Sequence, residues 1–197
     1  NTRHPSLLQR LRVWIWNFEI VCTGVYRFGQ WALRLHRRHR LLAMPFVAAF
    51  FIANFFVRLL RHVEISHRAE IGPGFHLGHP SGILIGPTRI GANCNLTHNV
   101  TIGVGLGAQE IGIPIVGNNV WIGPGATLTG GIVIGDGATI SAGSIVSRDV
   151  PPGALVAGNP ARVVLASYDN RALLWPASVL GAPSAAAAGE SAGDRRR

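Results

Sequence analysis

The 197-residue sequence contains no lysine, one methionine, two cysteines and only nine acidic residues. Two cysteines, Cys22 and Cys94, are too few for a disulfide framework or a cysteine-based zinc site. A reduced, cytoplasmic setting is therefore the default expectation, and no secretory signal is visible. No histidine follows His98, which confines histidine chemistry to the first half of the chain.

The charges are unevenly distributed. Residues 1–68 contain eleven arginines and two acids, Glu19 and Glu64, so their net charge is 11 − 2 = +9. Residues 69–197 contain seven arginines and seven acids, so their net charge is 7 − 7 = 0. This division predicts an anionic partner near the N-terminus. Nucleic acid is not the expected partner, because the aromatic residues form a packing stripe and no known nucleic-acid-binding motif is present.

Apolar residues dominate the N-terminal part of the chain. Residues 7–40 predict one or two amphipathic helices, and residues 41–57 form an apolar run in which Asn54 is the only strongly polar residue. The run is short for a membrane span, and Pro45 weakens that interpretation. Three interpretations stay open: a helix buried against its own copies in an oligomer, a helix lying in the cytoplasmic membrane face, and a full span.

An aliphatic residue recurs at every sixth position over the second half of the chain. The positions are Val116, Ile122, Leu128, Ile134, Ile140 and Val146, and earlier Ile71, Leu77, Leu84 (one residue late), Ile90, Leu96 and Ile102. This period fits neither a helix nor an exposed strand. It is typical of a hexapeptide-repeat parallel β-helix, in which three hexads form a triangular coil and residues 18 apart stack. The alternative, a glycine-rich β-sandwich, would show alternation with turns every 8 to 12 residues or so.

The repeat divides the chain into three parts. We expect a helical N-terminal segment over residues 1–63 that contacts a membrane or other copies, a mainly β domain over 64–164, and an extension over 165–197 that is disordered from about residue 181. Glycine-rich residues 103–115 interrupt the period. They predict a loop that projects from the solenoid, where functional residues are often found.

Two histidines of the repeat share a register. His79 and His98 each lie two residues after a core position, and the late position at Leu84 puts them one coil apart. Their imidazoles are therefore expected to stack on one face, about 5 Å apart. His76 precedes a core position and should lie near a corner. No metal is expected, because the pair lacks a third ligand in register.

A solvent-reaching imidazole beside an acid is the ordinary general base for an alcohol or amine nucleophile. His79 is the candidate base, and Glu64, near the first corner, is its candidate partner. His98 is expected to contact the acceptor or to share the role of base. Neither cysteine lies where a covalent acyl-enzyme would form, so direct attack is the expected mechanism.

Four segments resemble the serine acetyltransferase type of hexapeptide acyltransferase: residues 26–31 (Tyr-Arg-Phe-Gly-Gln-Trp), 69–83, 100–103 and 151–162. The resemblance extends over about residues 26 to 164. It implies a left-handed β-helix that assembles as a trimer or a dimer of trimers, with acetyl-CoA in the groove between subunits. It also implies that His79 is the catalytic base and that Glu64 orients it. The expected cofactor-binding residues are Gly103, Gly105, Pro124, Ala142, Gly143, Pro160 and Arg162.

Three positions depart from the serine enzymes. Those enzymes hold the amino-acid carboxylate with an Arg-His pair, where this chain has Gly112 and Ile113. They also carry an acid directly before the catalytic histidine, where this chain has Gly78. Apolar residues cannot replace a charge-assisted hydrogen bond, whose loss costs on the order of 2 to 5 kcal/mol. The expected base is thus retained, whereas the clamp for an amino acid is not.

The chain also resembles acetyltransferases of extracellular polysaccharide synthesis, such as those of colanic acid clusters. The shared features are a long apolar helix before the repeat, a histidine at position 98 and the missing Arg-His pair. This resemblance favours O-acetylation of a sugar hydroxyl, free or lipid-linked, at the membrane face. Serine O-acetylation is the first alternative, and a non-enzymatic scaffold or a metal protein resembling γ-carbonic anhydrases is the second.

Overall fold

The computed structural model describes residues 18–106 and 111–174. The helix expected to begin near residue 7 lies partly outside these ranges, and the tail expected to be disordered from about residue 181 lies wholly outside them. Two helices, α1 (Phe18–Arg38) and α2 (Arg40–Arg61), precede a solenoid of short strands.

The strands form three faces of a prism. The first face holds β1 (Glu64–Ile65), β4 (Leu84–Ile85), β7 (Thr101–Gly103), β12 (Thr127–Thr129) and β15 (Ile145–Val146). The second face holds β2 (Glu70–Ile71), β5 (Arg89–Ile90), β10 (Ile115–Val116) and β13 (Val133–Ile134). The third face holds β3 (His76–Leu77), β6 (Asn95–Leu96), β11 (Trp121–Ile122), β14 (Thr139–Ile140), β16 (Leu155–Gly158) and β17 (Ala161–Leu165).

Residues 18 apart are paired on all three faces, as the period predicted. Val116 is the partner of Ile134, Ile122 of Ile140, and Leu128 of Val146, each time in parallel strands. Each aliphatic side chain packs against those of the coils above and below it, because a single coil cannot bury its own apolar face. The predicted left-handed parallel β-helix is confirmed.

One predicted core position is wrong. Leu84 is 44% exposed, whereas the next residue, Ile85, is 1% exposed and pairs with buried Ile102. Successive side chains of a strand point to opposite faces, so only one of two adjacent aliphatic residues can enter the core. The turn before Ile85 is therefore two residues longer than a regular hexad, and the next hexad, which ends at Ile90, is one residue shorter.

The long turn over residues 78–83 is held by hydrogen bonds to the end of helix α2 and to the next coil. The Gly82 N–H donates to the Arg61 carbonyl at 3.1 Å, and the Asn99 N–H of the next coil donates to the Ser81 carbonyl at 2.8 Å. Gly82 has a φ of +64°, and a Cβ there would overlap the Asn99 side-chain oxygen. Glycine suits this position because it has no Cβ to meet Asn99 and adopts the positive φ without strain.

Helix α1 is hydrogen-bonded to the first coil of the solenoid. The Tyr26 hydroxyl donates to the Ala69 carbonyl at 2.6 Å, and the Arg27 guanidinium donates to the Ile71 carbonyl at 2.7 Å. The Gln30 amide adds a bond to the His67 carbonyl at 2.8 Å. Three residues of the segment 26–31 thus use one face of α1 to satisfy carbonyl groups at the open end of the solenoid, which would otherwise lack partners.

Helix α2 packs on α1 and leaves most of its own surface uncovered. Phe50 is buried against Gly29, where any Cβ would overlap the ring. Among the described residues, α2 is the one helix long and apolar enough to cross a membrane by length and composition, with a mean hydropathy of 1.9 over its most apolar window. Only 17% of that window is buried.

Two hairpins modify the solenoid. Strands β8 (Gly105–Leu106) and β9 (Ile111–Gly112) pair antiparallel and leave the coil between the first and second faces. Strands β16 and β17 pair antiparallel at the far end of the third face. The short helix α3 (Arg171–Leu174) follows, and buried Asn170 holds it by donating to the Asn119 carbonyl at 2.9 Å.

The exposure of Leu84 and the burial of Ile85 predict different costs for truncating two adjacent side chains. Ile85→Ala should lower the free energy of unfolding by about 2–5 kcal/mol, because it opens a cavity between stacked coils. Leu84→Ala is the matched control and should cost less than about 1 kcal/mol. Urea unfolding measures both. A larger loss for Leu84→Ala than for Ile85→Ala would contradict this core assignment.

Candidate active site

Four turns in successive coils line one edge of the prism, between the third and first faces. They comprise residues 78–83, 97–100, 123–126 and 141–144, and we call them the histidine edge. Their alignment follows from the pairing of Leu77 with Leu96, of Leu96 with Ile122, and of Ile122 with Ile140. Four adjacent coils of a parallel β-helix span about 14 Å at the spacing of neighbouring strands.

His79 lies at the start of this edge, in the long turn. It is exposed and has a φ of +54°, a conformation that is uncommon for residues other than glycine. The following residue, Pro80, is buried. The backbone thus turns sharply at His79, and its side chain is accessible to solvent.

His98 lies one coil further along the edge. Gly78 stacks on Thr97, since a Cβ on Gly78 would be 3.5 Å from the Thr97 methyl group, and the two histidines follow these residues. His98 is half-buried, and its carbonyl accepts a hydrogen bond from the Gly125 N–H at 3.0 Å. The register therefore brings the backbones of His79 and His98 into adjacent coils of one edge.

The carboxylate of Glu19, on helix α1, lies beside the His79 turn. The His79 N–H donates to Glu19 Oε1 at 3.4 Å, and the other carboxylate oxygen lies 3.8 Å from His76 Nε2. The Glu19 side chain is only 28% exposed. The residue directly before His79 is Gly78, which has no side chain.

Glu64, the acid expected to orient His79, has a different partner. Its Oε2 lies 3.0 Å from the Arg58 guanidinium of helix α2. Between the described side chains of Glu64 and His79 there is no hydrogen bond.

The sequence analysis did not identify Glu19 as a site residue, because sixty residues separate it from His79. The available signal was that residues 1–68 contain only two acids.

Three of the expected cofactor residues lie further along the histidine edge. The Gly143 N–H donates to the Pro124 carbonyl at 2.8 Å, which stacks the two turns. Ala142 and Gly143 are exposed, and no atom lies within 4 Å of a Cβ placed on Gly143. The edge therefore presents small residues and open space, which suits an extended, flexible chain bound through backbone groups.

The other expected cofactor residues lie on the first face and on the two hairpins. Gly103 ends β7 with open space around it, whereas on the β8–β9 hairpin a Cβ on Gly105 would overlap Thr129. Pro160 and Arg162 are exposed at the β16–β17 hairpin, on the third face. The structure thus places five of the predicted site residues on one edge: His79, His98, Pro124, Ala142 and Gly143. It does not align the other four expected cofactor residues with them.

Neither cysteine has the character of a nucleophile. Burial raises the pKa of Cys94 to about 11, and its Sγ contacts the Gly117 carbonyl at 3.1 Å. Burial likewise raises the pKa of Cys22 to about 11, although Arg61 opposes the shift. At neutral pH both are thiols, and the thiolate is the reactive form. Among the described residues, no cluster of three His, Cys, Asp or Glu side chains suited to a metal ion occurs.

In comparisons with known proteins, two family models match parts of the solenoid. The profile of the family "Bacterial transferase hexapeptide (six repeats)" matches residues 113–148, and "Hexapeptide repeat of succinyl-transferase" matches residues 87–109. The "Probable serine acetyltransferase 1" of Oryza sativa subsp. japonica is 47% identical over 103 residues, which are 52% of this chain and 34% of that protein.

Solved structures of serine acetyltransferases have the same fold. The soybean enzyme complexed with serine has a TM-score of 0.63 and 32% identity, over 83% of this chain and 64% of that one. A serine acetyltransferase in complex with CoA has a TM-score of 0.60 and 29% identity, over 73% of this chain and 55% of that one. The chain spans 28 to 55% of the length of the curated relatives it matches.

The chain thus contains hexapeptide transferase repeats over residues 87–109 and 113–148, and its fold is similar to that of serine acetyltransferases. The relatives and solved structures named above are serine acetyltransferases. They do not support the expected placement in the exopolysaccharide branch.

Proposed function

We propose that this chain transfers the acetyl group of acetyl-CoA to a hydroxyl group of a small acceptor. The observation that carries the proposal is the alignment of an exposed histidine, His79, with a row of small residues along one edge of the solenoid. A long, flexible thioester lying along the small-residue turns would bring its reactive carbon to the histidine end. The family resemblance supports the same donor.

The proposed reaction is a direct transfer. His79 removes the proton from the acceptor hydroxyl, and the oxygen attacks the thioester carbonyl carbon. Backbone N–H groups near the β8–β9 hairpin of a neighbouring subunit stabilise the oxyanion, because in its own chain this hairpin lies on a different edge from His79. The carbon–sulfur bond then breaks, and the imidazolium returns its proton to the CoA thiolate. No acyl-enzyme is formed, in keeping with the raised pKa of Cys22 and Cys94.

L-Serine is the acceptor that the comparisons favour. The relatives and the solved structures are serine acetyltransferases, and one of them is complexed with serine. A serine ammonium group needs a carboxylate near the base, and Glu19 supplies one beside the His79 turn. This contact would replace the acid that the serine enzymes carry directly before their histidine.

A sugar hydroxyl is the second candidate, and the β8–β9 hairpin favours it. Residues 103–115 contain no arginine, lysine or histidine to hold a carboxylate. A Cβ on Gly112 would lie 2.6 Å from the Gly131 Cα, so an arginine cannot be accommodated there without a backbone shift. A neutral sugar, free or lipid-linked, needs no such cation.

The proposed assembly is a homotrimer or a dimer of trimers. In a single chain the histidine edge is open to solvent along its small residues. A second solenoid beside this edge would form the other wall of a groove for CoA, and ligand sites of this kind are usually concave. Pro160 and Arg162, which lie away from the edge, could then contribute across the interface.

Activity is measured by release of CoA from acetyl-CoA, with L-serine and a panel of neutral sugars as acceptors. His79→Ala should lower kcat roughly 10²–10⁴-fold, the usual contribution of a general base, with little change in the Kd of CoA. His67→Ala, at another exposed histidine of the first coil, is the matched control and should retain turnover.

The acceptor with the higher kcat/KM distinguishes the two candidates. Near-normal turnover of His79→Ala would contradict the assignment of the base. An absence of acetyl transfer to every hydroxyl acceptor would contradict the proposed function itself.

The Glu19 contacts predict that this acid, more than Glu64, supports the base. Glu19→Gln removes the charge beside the His79 turn and should lower kcat/KM about 10-fold or more, as expected when a charged partner is lost. Glu64→Gln is the matched control and should have the smaller effect, because Glu64 pairs with Arg58. Glu19→Asp should restore part of the loss if the charge is what matters.

The same variants distinguish a role of Glu19 in binding the acceptor from a role in supporting the base. With serine the loss should be mainly in KM, since the ammonium group binds the carboxylate, whereas with a neutral acceptor it should be mainly in kcat. A larger loss for Glu64→Gln than for Glu19→Gln would restore the pairing expected from the family resemblance.

A further inference from the structure

Helix α2 exposes large apolar side chains around most of its circumference. Ten of them are at least 40% exposed, among them Phe46, Phe51, Phe55, Phe56, Leu59 and Leu60. At 100° per residue, the exposed apolar residues cover an arc of about 220°. The buried residues Ala43, Phe50 and Val57 lie in the remaining strip, which faces α1 and the solenoid. One neighbouring helix covers a stripe of roughly 100°. The exposed arc is thus wider than one docked helix would cover.

Both ends of this apolar surface carry arginines. Arg34, Arg37, Arg38 and Arg40 surround the junction of α1 and α2, and Arg58 and Arg61 lie at the other end of α2. Residues 20–63 contain no acid, and among the described residues Arg58 alone of these six arginines forms an ion pair, with Glu64 at 3.0 Å. Between symmetric copies such clusters would repel each other, whereas an anionic lipid surface attracts each of them.

The junction of the two helices also has aromatic residues suited to a membrane interface. Trp31 is 48% exposed, stacks on Phe28 at 5.7 Å between ring centres, and meets Phe46 edge-on at 5.1 Å. Trp31, Arg34, Leu35, Arg37 and Arg38 line a cavity of about 450 Å³. Tryptophan beside arginine is the combination found at the level of lipid headgroups.

The attachment of α1 to the solenoid determines how α2 can lie. Tyr26, Arg27 and Gln30 hydrogen-bond to carbonyl groups of the first coil, and α2 packs beside α1. The helical pair is therefore held against the end of the solenoid. A helix of 22 residues is about 33 Å long. With arginines at both ends, it is suited to lie in the plane of the interface, where both ends reach headgroups.

We propose that α2 docks this protein on the surface of an anionic lipid bilayer, with its apolar arc among the acyl chains and its terminal arginines at the phosphates. The proposal is independent of the acetyl transfer, since none of its residues belongs to the histidine edge. A second copy of the chain is the competing occupant of the same surface, and the experiment separates the two.

The test is flotation of the full chain with vesicles of phosphatidylcholine alone or with phosphatidylglycerol added, at low and high salt. The protein should float with the anionic vesicles and bind neutral ones less tightly. High salt should weaken the binding without abolishing it, because burial of apolar side chains is insensitive to screening. Aggregated protein sediments, so it is not mistaken for bound protein.

Two pairs of variants assign the binding to this surface. Arg37→Gln with Arg38→Gln should weaken binding to anionic vesicles on the order of 10-fold, while Arg89→Gln with Arg148→Gln, which removes the same charge from the solenoid, should not. Phe55→Ser with Leu59→Ser should reduce the binding that survives high salt about 10-fold or more. Val163→Ser with Val164→Ser, at exposed positions of β17, is its control.

The proposal is overturned if the full chain stays at the bottom of the gradient with every vesicle. It is also overturned if each pair weakens binding no more than its control. Light scattering then identifies the competing occupant: a stable oligomer that Phe55→Ser with Leu59→Ser dissociates would show that α2 packs against its own copies.

Discussion

The stacking of one aliphatic side chain per hexad against those of adjacent coils is the interaction on which the rest of the structure depends. Ile122, Leu128, Ile134 and Ile140 are fully buried, yet each is buried only because the next coil is in register. The register then determines which side chains lie together on an edge, because each turn follows its core residue at a fixed distance along the chain. His79, His98 and the small residues at 124, 142 and 143 lie on one edge for this reason.

Much of this arrangement could be predicted from the sequence, because a six-residue period specifies both the coil and the face of each residue. The register of His79 and His98 follows from their positions after Leu77 and Leu96. The choice between Leu84 and Ile85 could not be made, since both are aliphatic and only the length of the preceding turn decides which one enters the core. Glu19 escaped prediction because its place beside the His79 turn depends on how α1 docks on the solenoid.

The packing of the two helices determines which acid of the N-terminal segment lies beside the His79 turn. Glu64 lies where the family resemblance predicts an orienting acid, but the long apolar helix before it carries Arg58 in its last turn, and Arg58 forms an ion pair with Glu64. Glu19 faces the histidine turn from the other side. The helical pair thus contributes to the site through α1 and presents an apolar, arginine-flanked surface through α2. If both proposals hold, the membrane and the acceptor would be brought together by one hairpin of helices.

The central claim is that the histidine edge binds the acyl donor. Amide hydrogen exchange with and without CoA tests it directly, because protection maps to segments without any assumption about the acceptor. The claim predicts slower exchange in residues 97–100, 123–126 and 141–144 when CoA is added, with the turns on the other two edges unchanged. Protection confined to another edge or to the helices, or no protection at saturating CoA, would contradict it.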